Sequence, residues 1–202
     1  MMDLLLRPIK ERLLAPVAHA IGSRVSPLVV TLASGVVGLA SAVLVMHAAY
    51  GAGLACWLAN RLLDGLDGTL ARTRGVQSDL GGYVDIMADF VVYAALPIAF
   101  VLAAPTVTVS LAALAMLASF YVNAASWMYL TAILERRDAG AQSRHEMTTV
   151  TMPEGLVGGA ETVLLYVAFF LWPERLTLLF YLTSALVLAT ICQRIGWAVR
   201  RL

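Results

Sequence analysis

Residues 60–90 read NRLLDGLDGTLARTRGVQSDLGGYVDIMADF, a stretch in which two pairs of aspartates interrupt largely apolar sequence. The four carboxylates are Asp64, Asp67, Asp85 and Asp89. Spacings of i, i+3 and i, i+4 place each pair on one face of its own helix. A short turn near Gly75 joins the two helices, so they must run antiparallel and bring both pairs together. The sequence therefore predicts a helical hairpin with four carboxylates near one end.

The composition around this hairpin is typical of a membrane protein. Of the 202 residues, 60% are hydrophobic and 13% are charged, whereas a soluble domain carries about a quarter charged residues. Ionisable groups within membrane helices are costly, and those that occur are usually functional and paired. The two cysteines, Cys56 and Cys192, lie in apolar runs without the spacing of a zinc site or a disulfide framework. Lipid is therefore the expected solvent, and the aspartates are the expected functional groups.

Six apolar segments reach the length of about 20 residues that a bilayer requires. They cover residues 26–47, 49–73, 79–104, 106–134, 153–172 and 175–199. Before them, apolar residues recur at helical spacing against a basic face, which is typical of a helix lying on an anionic leaflet. These residues are Leu6, Ile9, Leu13, Val17 and Ala20. We therefore expect an all-α integral membrane protein of one domain over residues 1–202, with an interfacial amphipathic helix at 1–24 and six transmembrane helices at 26–200.

The basic residues predict the orientation of these spans, because loops that stay in the cytoplasm retain Lys and Arg. All of the 14 Lys and Arg residues except Arg175 lie on or toward one side, the side of both termini and of the 135–152 loop. We expect a multi-pass protein of the inner membrane with cytoplasmic termini. The carboxylates then face the cytoplasm.

Four clustered carboxylates require compensating cations. All-oxygen ligands favour Mg²⁺ or Mn²⁺ over Zn²⁺, and carboxylates on two helices suit two such ions. Paired ions are a known solution for in-line displacement at phosphorus. Gly68 and Ala71 extend the carboxylate face as a groove of small residues, and Arg72 offers a fork of donors to a diphosphate. These residues therefore predict a phosphoryl-transfer site.

Residues 64–89 also resemble the signature of the CDP-alcohol phosphatidyltransferase family, which is DxxDGxxAR, eight residues, then GxxxDxxxD. The matching positions are Asp64, Asp67, Gly68, Ala71, Arg72, Gly81, Asp85 and Asp89. The resemblance implies that all four aspartates bind metal and that Asp89 is also the general base. It implies that Gly68, Ala71 and Arg72 contact the CDP group, together with Ser78 and a segment that includes Ser26, Pro27, Leu28 and Thr31.

The reaction that this resemblance implies is phospholipid biosynthesis by phosphatidyl transfer. A lipid such as CDP-diacylglycerol donates the phosphatidyl group to the hydroxyl of a polar alcohol, and CMP leaves. The implied partners are the two substrates, membrane lipids and, by analogy with the family, a second copy of the chain in a homodimer. Nucleic acid is not an expected partner.

The acceptor site is expected among the last three helices, where several polar residues lie. They are Asn123, Glu154, Glu161, Gln193 and Arg194. Relatives with phosphorylated acceptors resemble one another in carrying Lys and Arg near the end of the fourth helix, where this chain has Thr131 and Ile133, and in having Arg where it has Gly155. An unphosphorylated alcohol is therefore preferred.

Two alternatives remain open at this stage. One is a phosphatidylglycerophosphate or phosphatidylinositol phosphate synthase with a phosphorylated acceptor, because Arg136, Arg137, Arg144 and Arg194 lie nearby. The other is a proton- or ion-coupled transporter, which would also hold acids in the membrane but would be expected to have broken helices and often an inverted repeat. The acids here cluster in one hairpin without a visible repeat, which favours the enzyme.

Overall fold

A computed structural model describes residues 2–21, 25–137 and 155–202, with the backbone alone for residues 2–11. All secondary structure in these ranges is helical, which confirms the predicted all-α class. The helices are α1 (Met2–Ile21), α2 (Pro27–Met46), α3 (Tyr50–Thr73), α4 (Asp79–Ala103), α5 (Val107–Arg136), α6 (Gly159–Leu171) and α7 (Leu176–Arg201), with a 3-10 turn at Pro173–Arg175.

Local sequence explains the ends of the helices that carry the aspartates. The α3–α4 turn contains Gly75 at φ 62°, a left-handed conformation that glycine adopts without steric cost. Ser78 then begins α4, because its side-chain oxygen accepts a hydrogen bond from the Gly81 N–H at 3.1 Å. Ser26 begins α2 in the same way and is followed by Pro27, a favoured first helical residue. The predicted helical hairpin is present.

Four of the described helical segments are long and apolar enough to cross a membrane: Pro27–Met46, Asp79–Ala103, Val107–Arg136 and Pro173–Arg201. Helix α3 has the necessary length but carries Arg61, Asp64, Asp67 and Arg72. Helix α6 has 13 residues and is too short by itself. The described residues therefore contain four candidate spans, and the predicted count of six stays a prediction.

Contacts divide the chain into two compact units. Of the described residues, the N-terminal unit consists of 4–21, 25–106 and 170–173, and the C-terminal unit consists of 2–3, 107–137, 155–169 and 174–202. All four aspartates lie in the N-terminal unit. The predicted single domain stays a prediction.

Within the N-terminal unit, α1 packs on the helix that carries the first aspartate pair. Ala18 of α1 forms a buried cluster with Leu66 and Leu70 of α3, and Leu14 and Ile21 pack against it. The apolar face that the sequence suggested is a different one, since Leu13 is 69% and Val17 is 46% exposed. Such an exposed apolar face suits contact with lipid, and the interfacial placement of α1 stays a prediction.

Polar contacts join α2 to α3 in the same unit. The Ser41 hydroxyl donates to the Gly53 carbonyl at 2.7 Å, and the Ser34 hydroxyl donates to the Asn60 carbonyl at 2.9 Å. Val92 of α4 also packs closely against α2 at Gly38, where an added Cβ would lie 2.6 Å from a methyl group of Val92. Small residues and interhelical hydrogen bonds of this kind are typical of helix packing in membranes.

Candidate active site

The structure brings the four aspartates together at the α3–α4 hairpin. Asp85 lies within electrostatic reach of Asp64, Asp67 and Asp89. Helical spacing accounts for each pair, and the antiparallel hairpin accounts for their meeting. The result is a concentrated site of negative charge in the N-terminal unit.

Thr31 of α2 contacts this cluster directly. Its hydroxyl donates a hydrogen bond to Asp67 Oδ2 at 2.6 Å. Asp67 is buried, with 5% of its surface exposed, so an unmade hydrogen bond at this carboxylate would be costly. Thr31 therefore fixes the orientation of a predicted metal ligand.

Arg61 of α3 places a cation against the carboxylates. Its Nη2 lies 2.7 Å from Asp89 Oδ1, and its Nη1 lies 3.9 Å from Asp64 Oδ2. The guanidinium also lies over the rings of Trp57 at 4.8 Å and Tyr93 at 5.0 Å. No role was predicted for Arg61 from the sequence, although its position three residues before Asp64 places it on the carboxylate face.

As they stand, no three His, Cys, Asp or Glu side chains among the described residues are arranged to hold a metal ion. Two of the carboxylates are engaged by protein donors, Asp89 by Arg61 and Asp67 by Thr31. The donor set nevertheless fits hard divalent cations, because it consists of clustered carboxylates on adjacent helices. An ion that binds there has to compete with Arg61 for Asp89.

The residues predicted to contact CDP lie on or beside the same hairpin. Gly68 leaves room for Arg72, since an added Cβ would lie 3.1 Å from Arg72 Nη1. Ala71 and Leu28 are half-buried. The Ser78 oxygen accepts from the Gly81 N–H and so has a structural role as the cap of α4.

Those predicted acceptor residues that the structure describes lie in the C-terminal unit, where two of them come together. Arg194 of α7 is buried, and its Nη1 donates to Asn123 Oδ1 at 2.8 Å and to Ser126 Oγ at 2.5 Å. Ser126 was not predicted as a site residue, although it lies three residues after Asn123 and thus on the same face of α5.

Glu161 lies in the first turn of α6. Its Oε2 accepts from the Gly158 N–H at 3.1 Å at the start of α6, an arrangement that stabilises a helix N-terminus. Gln193 Oε1 accepts from the Leu156 N–H at 2.8 Å. Glu154 and the loop residue Arg144 lie outside the described residues.

The chain preceding α6 is bound tightly to α7. The Val157 N–H donates to Thr190 Oγ1 at 2.9 Å, and a Cβ added to Gly155 would overlap the Thr190 side chain. A larger side chain therefore cannot occupy position 155 unless the Thr190 side chain or the backbone moves.

A helical hairpin with clustered carboxylates in an all-helical, apolar protein is the arrangement expected of a membrane phosphotransferase. The model of one such family, CDP-alcohol phosphatidyltransferase, matches residues 24–195. The chain belongs to this family, which confirms the predicted membership.

The chain is also similar to individual proteins. The chain is 39% identical over 124 residues to inner membrane protein YnjF of Escherichia coli (strain K12). That match covers 61% of this chain and 59% of the relative, so it spans less than two thirds of either protein.

Among solved structures, the fold is similar to crystal structures of Mycobacterium tuberculosis phosphatidylinositol phosphate synthase. The structure with CDP-DAG bound has a TM-score of 0.69 at 22% identity, covering 92% of each chain. The structure in complex with manganese and citrate has a TM-score of 0.68 at 22% identity, covering 91% of this chain and 87% of that one. At this identity the similarity establishes a common fold.

Proposed function

We propose that this protein is a transferase that moves a phosphatidyl group from a CDP-activated lipid, such as CDP-diacylglycerol, to the hydroxyl of a polar alcohol. CMP is the second product. The observation that carries the proposal is the convergence of motif aspartates from α3 and α4, since Asp64 and Asp89 both pair with Arg61, in a chain that belongs to the CDP-alcohol phosphatidyltransferase family. The neighbour of known structure with CDP-DAG bound supports the choice of donor.

The aspartates Asp64, Asp67, Asp85 and Asp89 would hold two divalent ions, Mg²⁺ or Mn²⁺. When bound, such ions neutralise the diphosphate and stabilise the leaving oxygen. The clustering of carboxylates and the manganese complex of a neighbour support this part of the proposal.

In the reaction, the acceptor oxygen forms a bond to the lipid-bearing phosphorus while the bond from that phosphorus to the bridging oxygen of the diphosphate breaks. Asp89 takes the proton of the attacking hydroxyl, and CMP departs with the bridging oxygen. Arg72 offers its guanidinium fork to the diphosphate. Leu28, Thr31, Gly68, Ala71 and Ser78 border the donor.

The acceptor is an unphosphorylated polar alcohol, bound by Asn123 and Arg194 with Glu161 and Glu154 as further candidates. Tight packing of Gly155 against Thr190 supports this choice, because position 155 has no room for a phosphate-binding side chain. A phosphorylated acceptor, as in a phosphatidylglycerophosphate or phosphatidylinositol phosphate synthase, is the alternative, since Arg194 carries a buried positive charge.

The proposal includes six spans in the inner membrane, an interfacial α1, cytoplasmic termini and an active site that faces the cytoplasm. Four long apolar helices and the similarity to an inner membrane protein support the membrane location. A homodimer is proposed by analogy with the family.

The test is CMP release by purified protein supplied with CDP-diacylglycerol, Mg²⁺ or Mn²⁺ and a panel of free and phosphorylated alcohols. We expect release that depends on one acceptor and that is lost in Asp89→Asn. Asp79→Asn is the matched control, since Asp79 is an exposed aspartate of the same helix outside the motif. Absence of CMP release with every acceptor at saturating metal would overturn the proposal, and uptake driven by an ion gradient would favour transport.

A further inference from the structure

Arg61 is held in one place by contacts on all sides of its guanidinium group. Its side chain is 10% exposed and pairs with Asp89, whose side chain is 32% exposed. Its Nη1 donates to Tyr93 Oη at 3.2 Å, and the group lies over the Trp57 ring at 4.8 Å. A planar cation between aromatic rings, with fixed donors, has little freedom to change its orientation.

A second set of contacts connects Arg61 to α2 through Asn60. Asn60 Oδ1 accepts from Arg61 Nε at 2.8 Å, while Asn60 Nδ2 donates to the Ser34 carbonyl at 2.8 Å and to Ser34 Oγ at 2.9 Å. These contacts fix which end of the amide faces Arg61. Asn60 is 1% exposed, so the connection from α2 to α4 through Asn60 and Arg61 is shielded from competing water.

We propose that Arg61 is a positioning residue for Asp89, and that its charge also sets how tightly the carboxylate cluster binds divalent ions. The proposal rests on the proposed function, in which Asp89 is the general base. Arg61 binds Oδ1 of Asp89 and thereby fixes the plane of the carboxylate that receives the hydroxyl proton. Geometry of this kind matters because a displacement of about 1 Å at a reacting group can cost about a hundredfold in rate.

The two actions of Arg61 have opposite consequences for ion binding and for turnover. Its positive charge lies 2.7 Å from Asp89 and 3.9 Å from Asp64, so it opposes a divalent ion at the same carboxylates. Removal of the charge strengthens ion binding, whereas removal of the fixed donors leaves Asp89 free to turn and slows the reaction. General damage to the fold would weaken both properties together.

The experiment measures Mn²⁺ binding by electron paramagnetic resonance and CMP release on the same purified full-length samples. For Arg61→Gln we expect the Kd for Mn²⁺ to fall about tenfold while kcat falls about a hundredfold. The KM for CDP-diacylglycerol should stay within about threefold of the wild-type value, since Arg61 is not assigned to the donor.

Arg61→Lys separates charge from geometry, because lysine keeps the positive charge but lacks the planar fork. We expect a Kd for Mn²⁺ close to the wild-type value and a kcat about tenfold lower. The control is Arg175→Gln, which makes the same change at an arginine whose side chain is 69% exposed in the C-terminal unit. This control should leave both measurements unchanged.

Weaker Mn²⁺ binding in Arg61→Gln, or an unchanged kcat in either Arg61 variant, would overturn the inference. Failure of the proposed function is distinguishable, because the wild-type protein would then release no CMP with any acceptor. Tighter Mn²⁺ binding in Arg61→Gln without wild-type turnover would refute the positioning role.

Discussion

Arg61 in the N-terminal unit and Arg194 in the C-terminal unit are both largely buried, but their partners differ in charge. Arg61 meets the carboxylates of Asp89 and Asp64. Among the described residues, Arg194 donates to the neutral oxygens of Asn123 and Ser126. Opposite charges in the protein stabilise the first arginine, whereas neutral hydrogen-bond acceptors contact the second. This difference supports the proposal that the ions bind in the N-terminal unit and that the acceptor binds in the C-terminal unit.

The largest expected effect comes from a change at the centre of the carboxylate cluster. Asp85→Asn keeps the shape of the side chain but removes a charge that interacts with all three other motif aspartates. We expect CMP release to fall about a thousandfold, because the loss of a charged metal contact affects the transition state directly. Measurement of kcat at increasing Mn²⁺ checks this prediction, with Asp79→Asn as the control. Full activity of Asp85→Asn at ordinary Mn²⁺ concentrations would show that Asp85 is not a ligand of the ions.

The next largest effect is expected from the buried arginine of the C-terminal unit. Arg194→Gln removes the buried cation while keeping a hydrogen-bonding group. We expect the KM for the acceptor to rise about thirtyfold, with the KM for CDP-diacylglycerol unchanged. Initial rates measured while each substrate is varied in turn provide the test. A change in the KM for the donor alone would contradict the assignment of this unit to the acceptor.

A smaller effect is expected from the neighbour of Asp67. Thr31→Val preserves shape but removes the hydroxyl that donates to the buried carboxylate at 2.6 Å. Loss of a hydrogen bond to a charged group costs about 1.5–3 kcal/mol. The lower end of this range corresponds to about tenfold slower CMP release, which is the effect we expect. Thr31→Ser, which keeps the hydroxyl, is the control and should retain most of the activity. Equal activity of the valine and serine variants would show that the hydroxyl is dispensable.

The smallest effect on activity is expected at position 155. An alanine side chain would overlap Thr190, so Gly155→Ala should lower the free energy of unfolding by about 1–3 kcal/mol, as overpacking generally does. Gly51→Ala is the control, because no heavy atom lies within 4 Å of an added Cβ there. Thermal unfolding in detergent measures both variants. A Gly155→Ala protein as stable as the wild type would show that segment 155–158 adjusts freely.

The α3–α4 hairpin was predictable because its evidence is local. Spacing within each helix and the short turn at Gly75 determine which carboxylates meet, and the family signature assigns them expected roles. The partner of Arg61 was not predictable in the same way. Helical spacing favours Asp64 three residues later, but the structure places Asp89 of α4 closer, at 2.7 Å against 3.9 Å. The packing of α4 on α3 therefore determines which carboxylate lies nearest to Arg61.

Contacts between residues distant in sequence also determine which face of α1 is buried and where α6 begins. Residues Leu13 and Val17 have the spacing of an apolar face on α1, but Leu14, Ala18 and Ile21 have a similar spacing and are the ones that pack against α3. The predicted fifth span began at residue 153, whereas α6 begins at Gly159. The backbone of residues 156 and 157 is instead bound by Gln193 and Thr190 of α7.

The most direct measurement is equilibrium binding of Mn²⁺ to the purified wild-type protein and to a variant that carries Asp64→Asn and Asp85→Asn together. If carboxylates from α3 and α4 jointly hold the ions, the wild-type protein binds Mn²⁺ saturably and the double variant loses this binding, while both proteins unfold at similar temperatures. Saturable binding of equal strength in the two proteins, or no saturable binding in the wild type with CDP-diacylglycerol present, would contradict the account.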